Sequence, residues 1–507
     1  MTAGVDESED ERADEVHRRR WATLVVLCLA MLLIIVNSSS LNVALPTLAR
    51  ELDASSAQLQ WIVAAYSLVF AGLLFSCGTL GDRYGRKGTF QLGLVLFALA
   101  AGVASLSSEA WHVIACRGAM GLAAALIMPS TLSILVGVFP THERPKAIAA
   151  WAGVTGVAGT IGPLGSGFLL EDHSFPAVFL MNLPIGALAL LGSVWLVPRS
   201  RDPHGTALDP VGAGLSIVAL TGFVYGLVIG PDAGWTAPTT LAIFAAALTA
   251  GVLFVRWELR HPAPMLDVRL FRNPAFSTGT AGMTTAFLAL FGSTFLLAQH
   301  FQLVAGYSPL STALRFLPSG ATLVVVSAFT PRLVRRWGAH RTAGAGMGLV
   351  ALAMALLLPL RSDSPFALLL ASMVVLLTGL ALVISPLTAA VMSTVPADRP
   401  GAASATNNST RELGGAVGVA LLGSWSSAYY GHAIQGAIAG LPPDQQATAA
   451  SSLGNALDVA ARLPAGAAHT LTLDAQQAFV ESLRLAAALP LVLAVVVGVL
   501  VWRHLPR

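Results

Sequence analysis

Long apolar runs broken by short polar stretches dominate the chain. Runs of mostly apolar residues fall near 21–46, 58–80, 88–107, 110–138, 147–170, 176–198, 208–230 and 238–257. Six more follow near 274–299, 310–331, 342–360, 366–395, 402–430 and 478–502. A helix needs about 20 apolar residues to cross roughly 30 Å of hydrocarbon, so each run predicts a membrane-crossing helix and together they predict fourteen. Barrel strands are excluded, because they would be about ten residues long with alternating polarity. The first 20 residues are polar, with seven acids besides Arg12, Arg18, Arg19 and Arg20, and read as a solvated cytoplasmic tail. The run after them is too long for the apolar core of a signal peptide, so the first span is expected to stay in place. The longest outer loop, 431–477, is rich in Ala, Gln and Ser around Pro442 and Pro443. A short surface helix, and no folded domain, is expected there.

Composition supports a lipid solvent. Of 507 residues, 55% are hydrophobic and only 11% charged, against about 25% charged in soluble domains; mean hydropathy is +0.72. The net charge of +3 hides a segregation along the chain. With the N-terminus inside, most of the 29 basic residues fall on one side, among them Arg83, Arg86, Lys87, Arg144, Lys146, Arg199, Arg256, Arg260, Arg335, Arg336, Arg341 and Arg503. The positive-inside rule then predicts that both termini are cytoplasmic, as an even span count requires. Only Lys87 and Lys146 are lysines. Together with the abundant Ala and Gly, this suggests a GC-rich genome and a bacterial cytoplasmic membrane. Cys28, Cys77 and Cys116 lie in apolar runs without metal-ligand spacing and read as small core residues.

Three patterns carry chemistry. Gly81-Asp82-Arg83-Tyr84-Gly85-Arg86-Lys87-Gly88 closes the second run. Its glycines permit a tight turn between packed helices, its bases meet headgroup phosphates or carboxylates, and Asp82 needs a cation or a helix N-terminus as partner. Shifted by 253 residues, Arg83, Tyr84 and Gly85 align with Arg336, Trp337 and Gly338, a faint internal repeat of the kind transporters carry. In the fifth run Gly153, Gly156, Gly159, Gly162 and Gly165 recur every third residue, with Pro163 and Gly167 beside them. Small residues let membrane helices approach closely, and the proline bends the helix. Arg117 lies inside the fourth run. An intramembrane arginine is costly and reads as functional, the alternative being a side chain that snorkels to the outer headgroups. For Arg315, near the start of the tenth run, snorkelling is the expected state.

The Gly81–Gly88 octet resembles the loop 2–3 signature of the major facilitator superfamily, and the Gly159–Gly167 segment resembles that superfamily's antiporter motif. NVALPTL (42–48), NLPIG (182–186) and RELGGAVGVALLG (411–423) look like its fourteen-span drug/proton antiporter branch. The resemblance covers the whole chain and implies an all-α polytopic fold. It comprises a six-helix bundle at 21–198, a two-helix insertion at 199–265 and a second six-helix bundle at 266–507. It also implies proton-driven export by alternating access. Gly81, Asp82, Arg83, Gly85, Arg86 and Lys87 would form a cytoplasmic gate facing the span that begins near Ala402, and Arg117 would take part in proton transfer.

The chain departs from that branch in its acids. Where relatives often carry an aspartate in the first span it has Asn37, and where many carry one in the second it has Ala64. A missing intramembrane carboxylate predicts poor binding of lipophilic cations. Glu412, where relatives usually have glutamine, is the main candidate to carry the proton, lying about 15 Å along the thirteenth span; an ion pair or a place at the cytoplasmic lip is the competing reading. His300, read as a polar residue at a helix mouth, ranks lower. Asn37, Asn42, Tyr66, Asn407 and Asn408 offer uncharged groups for a cavity that suits neutral or weakly anionic amphipathic compounds; Asn182 reads as a helix-holding group. Protons and membrane lipids are the other expected partners, with a monomer and no nucleic acid. No metal, cofactor or enzymatic polar cluster is expected. The competing functions are a metabolite importer or facilitator without proton coupling, and a membrane-embedded sensor.

Overall fold

A computed structural model describes residues 3–140, 142–199, 209–262, 264–394 and 400–505 and is helical nearly throughout. In chain order the first helices are α1 (Ala3–Glu51), α2 (Ser56–Tyr84), α3 (Arg86–Ser105), α4 (Ala110–Val138), α5 (Arg144–Asp172), α6 (Pro176–Leu180) and α7 (Asn182–Leu196). The two-helix insertion is α8 (Pro210–Ala233) and α9 (Pro238–Arg260). A 3-10 turn (Val268–Arg272) leads into α10 (Pro274–Gln299), which ends in a π turn (His300–Val304). Then come α11 (Pro309–Trp337), α12 (Ala339–Leu357), α13 (Phe366–Thr394), α14 (Pro400–Ala433), α15 (Gln435–Ile438), α16 (Pro443–Ser451), α17 (Leu453–Ala460) and α18 (Ala465–His504).

Among the described residues, twelve helical segments are long and apolar enough to cross a membrane. They match twelve of the fourteen apolar runs. The fifth and thirteenth runs are α5, of 29 residues, and α14, of 34 residues, which stand outside those twelve. Local chemistry sets the helix starts. Ser55 and Gln58 form a reciprocal capping box at α2, and prolines occupy the first turn of α5, α8, α9, α10 and α11. The sixth run is broken at Met181, where the buried Asn182 amide donates to the Val178 and Phe179 carbonyls that the break frees.

The helices form two bundles, and the 253-residue repeat extends well beyond its basic loop. Gly85 (φ +117°) is the single residue between α2 and α3, and Gly338 (φ +82°) the single residue between α11 and α12. A side chain is disfavoured at either angle. In each copy a threonine one turn later, Thr89 or Thr342, donates to the carbonyl of that glycine. Leu94, Phe97, Ala100, Ala101 and Ala104 of α3 are buried, and so are their counterparts Met347, Val350, Ala353, Met354 and Leu357 of α12.

Among the described residues, contacts between the bundles run from mid-height to the end away from Gly85 and Gly338. On one seam, α2 meets α14. Ser424 Oγ donates to Gln60 Oε1 (2.9 Å), Ser67 Oγ to Glu412 Oε2 (2.8 Å), and Ser409 Oγ to the Ala71 carbonyl (3.1 Å). On the other, α5 meets α11, and Glu171 Oε1 accepts the Leu310 N–H (3.2 Å). Gln302 Nε2 also reaches the Val43 carbonyl of α1 (2.8 Å). The insertion lies over the first seam: Val224, Leu227 and Val228 of α8 share an apolar cluster with Ala64 and Leu68 of α2 and Ala416 and Ala420 of α14.

The 431–477 stretch is more organised than a loop with a surface helix. It holds α15, α16, α17 and the start of α18. Leu453, Ala456, Val459 and Ala460 of α17 are buried, because their spacing makes one apolar face even in so short a helix. Tyr430 Oη donates to the Ala449 carbonyl, and Ser56 Oγ of α2 to the Ser451 carbonyl (3.0 Å). The stretch is a packed cap over the joined end.

Candidate functional site

Arg117, Tyr66, Ser67 and Glu412 converge where α2, α4 and α14 meet. Arg117 is 1% exposed. Its Nε donates to the Ile62 carbonyl (3.0 Å), and its guanidinium carbon lies 4.4 Å from the centre of the Tyr66 ring. A cation over an aromatic face is stabilised by the ring quadrupole, and this geometry turns Arg117 inward rather than towards headgroups. Tyr66 is itself 1% exposed, and its hydroxyl has no hydrogen-bond partner. Unpaired buried polar groups are rare and call for an explanation.

Glu412 faces this group from the other bundle. Its carboxylate accepts from Ser67 and lies within electrostatic reach of Arg117 and Tyr66. The ion-pair alternative is not met: among the described residues no basic group lies within salt-bridge distance of Glu412. Arg411, the next residue, points elsewhere, its guanidinium carbon 4.6 Å from the Phe287 ring centre. The carboxylate therefore sits on the seam, with a hydroxyl as direct partner and arginines around it.

The other sequence candidates fall in several places. Asn37 is 2% exposed with an unpartnered amide nitrogen. Asn42 and Asn408 are half-buried. Asn407 Oδ1 accepts from Thr388 of α13 (3.2 Å). His300 stands at the end of α10 as expected, buried in the π turn beside Phe301 with Nδ1 unpartnered. Arg315 points back towards the mouth of its helix, the direction that snorkelling takes: it donates to the Ser311 carbonyl (3.0 Å), and its guanidinium carbon lies 3.5 Å from the Tyr307 ring centre and 5.4 Å from that of Phe366.

The glycines of α5 are not equivalent. A Cβ on Gly162 would collide with Ser39 Oγ of α1, and one on Gly167 would lie 2.9 Å from Ala313 Cβ of α11, across the seam. Pro163 lies inside α5 between these two contacts. Nothing lies within 4 Å of a Cβ on Gly159.

In the octet, Gly81 packs against Ser130 of α4, where a Cβ would stand 3.3 Å from the hydroxyl. Lys87 Nζ donates to the Val194 carbonyl at the end of α7 (2.8 Å), a favourable place for a cation. Arg83 is exposed against Tyr84, and Arg86 is half-buried. The side chain of Asp82 and those at 401–404 lie outside the described residues, and with them the expected gate contact.

Nearby, Glu143 at the start of α5 accepts two hydrogen bonds from Arg20 (2.7 and 3.1 Å), which hold its carboxyl below the usual range. Among the described residues no group of three or more His, Cys, Asp or Glu could hold a metal ion. Ser67 was missed by sequence reasoning. One serine in an apolar run carries no pattern, and only its partner on α14 gives it meaning.

Residues 27–419 match the family model described as Major Facilitator Superfamily. The chain is 36% identical to the multidrug efflux pump LfrA of Mycolicibacterium smegmatis over 486 residues, 95% of this chain and 96% of that one. It is 30% identical to the tetracenomycin C resistance and export protein of Streptomyces glaucescens, over 95% of this chain and 92% of the relative. It is 33% identical to the methyl viologen resistance protein SmvA of Salmonella typhimurium, over 95% and 97%. A solved bacterial homolog of the human lysosomal transporter Spinster, in an inward-facing and unoccupied conformation, aligns with a TM-score of 0.65 at 16% identity, covering 96% of this chain and 99% of that one. At that identity the likeness concerns the fold.

Proposed function

Because the chain belongs to the Major Facilitator Superfamily, we propose that it is a proton-driven exporter of amphipathic small molecules, neutral or weakly anionic, working by alternating access. It would act as a monomer with fourteen spans in the bacterial cytoplasmic membrane, both termini inside. The export direction draws on relatives named as an efflux pump and as a resistance and export protein.

The observation that carries the proton reading is the 2.8 Å bond from Ser67 to Glu412. A carboxylate that joins the two bundles makes protonation and the opening of the seam one linked event. With the basic end in the cytoplasm, the joined end is the outer one and the carrier is ready to load from inside. Ionised Glu412, drawn towards Arg117 and bonded to Ser67, keeps the outer seam shut while the carrier is empty. A substrate entering from the cytoplasm competes for these groups and lets the seam part. Glu412 then takes a proton from outside, the bundles return without cargo, and the proton leaves to the cytoplasm, restoring the carboxylate that bonds Ser67. In the outward state the Gly81–Gly88 loop, with Asp82 towards the start of α14, closes the cytoplasmic side. Asn37 and Ala64 put no negative charge in the first two spans, which favours neutral over cationic cargo.

The test is accumulation of cationic, neutral and anionic compounds in an efflux-deficient bacterium expressing the protein, with and without a protonophore. Exclusion of neutral or anionic members that collapses with the protonophore, and that Glu412→Gln abolishes, is the expected result. Equal export of lipophilic cations would overturn the substrate class, and exclusion that survives the protonophore would overturn the proton drive.

A further inference from the structure

A pair of acids lies far from this seam, at the basic end of the insertion, and the export mechanism does not use it. Asp209 caps α8, and Glu258 is in the last turn of α9; each is 3% exposed. Asp209 Oδ1 accepts the Gly212 N–H (2.8 Å), and the Trp257 indole N–H donates to both Asp209 oxygens (2.9 and 3.1 Å). Glu258 Oε2 accepts the Leu266 N–H (3.1 Å), while Oε1 is buried with no partner. The unpartnered oxygen faces Asp209. A Cβ built on Gly212 would collide with Asp209 Oδ2 and lie 2.6 Å from Glu258 Oε1, so the two oxygens border one small space.

Among the described residues, no basic side chain is ion-paired with either acid. Arg256 and Arg260 are exposed. Arg269 donates to the Leu259 carbonyl (3.0 Å), and Asp267 caps its own 3-10 turn. His261 stacks on the Trp257 ring, with 5.5 Å between centroids, and has further interactions of its own.

We propose that Asp209 and Glu258 form a proton-binding carboxyl pair that clamps α8 to α9. Two carboxylates this close and this buried cannot both be ionised without a counterion. One proton on Glu258 Oε1, donated to Asp209 Oδ2, gives the orphan oxygen a partner and makes a charge-assisted bond, which is stronger than a neutral one. The pair ties the start of α8 to the end of α9 and, through Leu266, to the lead into α10. Since α8 packs on both α2 and α14, the clamp anchors the helix that lies over the seam. This assignment stands or falls independently of the export mechanism.

The test uses the full chain purified in detergent. Infrared difference spectra should show a protonated carboxyl C=O stretch at neutral pH that disappears in Glu258→Gln; a band from Glu412 would survive that change. The folded protein would hold a proton that the unfolded chain releases at neutral pH, so raising the pH must lower stability, by up to tenfold in the folding equilibrium per pH unit for one proton. Wild type should lose melting temperature between pH 6 and 9. Glu258→Gln, whose amide donates to Asp209 at every pH, should lose less. If that variant does not fold, Asp209→Asn is the substitute, with the amide donating to Glu258. An unchanged band with equal pH slopes overturns the proposal. So does a melting temperature governed by Na⁺ or K⁺ instead of pH, which would make the pair a cation site.

Discussion

Replacing Ser67 by alanine removes one hydroxyl from the α2–α14 seam and little else. The lost bond, 2.8 Å to a carboxylate, belongs to the class worth about 1.5–3 kcal/mol when one partner is charged. At about 1.4 kcal/mol per tenfold, the ratio of seam-open to seam-closed carriers should rise roughly ten- to a hundredfold. Spin labels at Ser108→Cys and Ser362→Cys, on exposed turns of the two bundles at the joined end, would report it in a background lacking Cys28, Cys77 and Cys116. The distance distribution should gain a longer component in Ser67→Ala. In a Glu412→Gln background the same substitution should matter less, since a bond to a neutral amide oxygen is worth about 0.5–1.5 kcal/mol. An unchanged distribution in Ser67→Ala would show that the bond does not hold the seam. An equal effect in both backgrounds would show that Ser67 acts without the charge of Glu412.

Tyr66→Phe should leave the melting temperature unchanged or raise it, because the hydroxyl is buried without a partner and the ring contact with Arg117 survives; a clear loss of stability would mean that the hydroxyl is bonded after all. Gly162→Ala should destabilise by about 1–3 kcal/mol through overpacking against Ser39, while Gly159→Ala should not; melting temperatures in the reverse order would refute the assigned contacts. The Arg20–Glu143 link should weaken on acidification. A carboxyl held below its usual range contributes stability above the ordinary carboxylate pKa and loses it as pH falls through its own, so the gap in melting temperature between wild type and Glu143→Gln should close towards low pH. The effect should be small, because the pair is accessible to solvent.

What could be read from the chain depended on whether a residue announces itself alone. Spans announce themselves through length, and the Gly85–Gly338 repeat through one loop whose counterpart kept its glycine. Arg117 stood out because charge is rare in an apolar run, yet only packing on Tyr66 decided between a buried and a snorkelling side chain. Arg315 and His300 show the same limit: position along a helix says how deep a residue lies, but not what surrounds it. Ser67, Asp209 and Glu258 each look ordinary, a hydroxyl in a span and two acids at helix ends. Their meaning lies in pairing across about 345 or 49 positions of sequence, which periodicity does not encode.

The placement of α8 has a mechanical corollary. One long side of the molecule is bridged by a helix that grips both bundles, while the opposite side, where α5 meets α11, has no such bridge in the described residues. Motion between the bundles should therefore be lopsided, like a book that opens from its spine. The bridged side parts by a small angle, enough to separate Ser67 from Glu412, and the free edge travels further. Cargo and lipid tails would feel the widening gap first along α5 and α11, where Gly167 and Ala313 stand face to face.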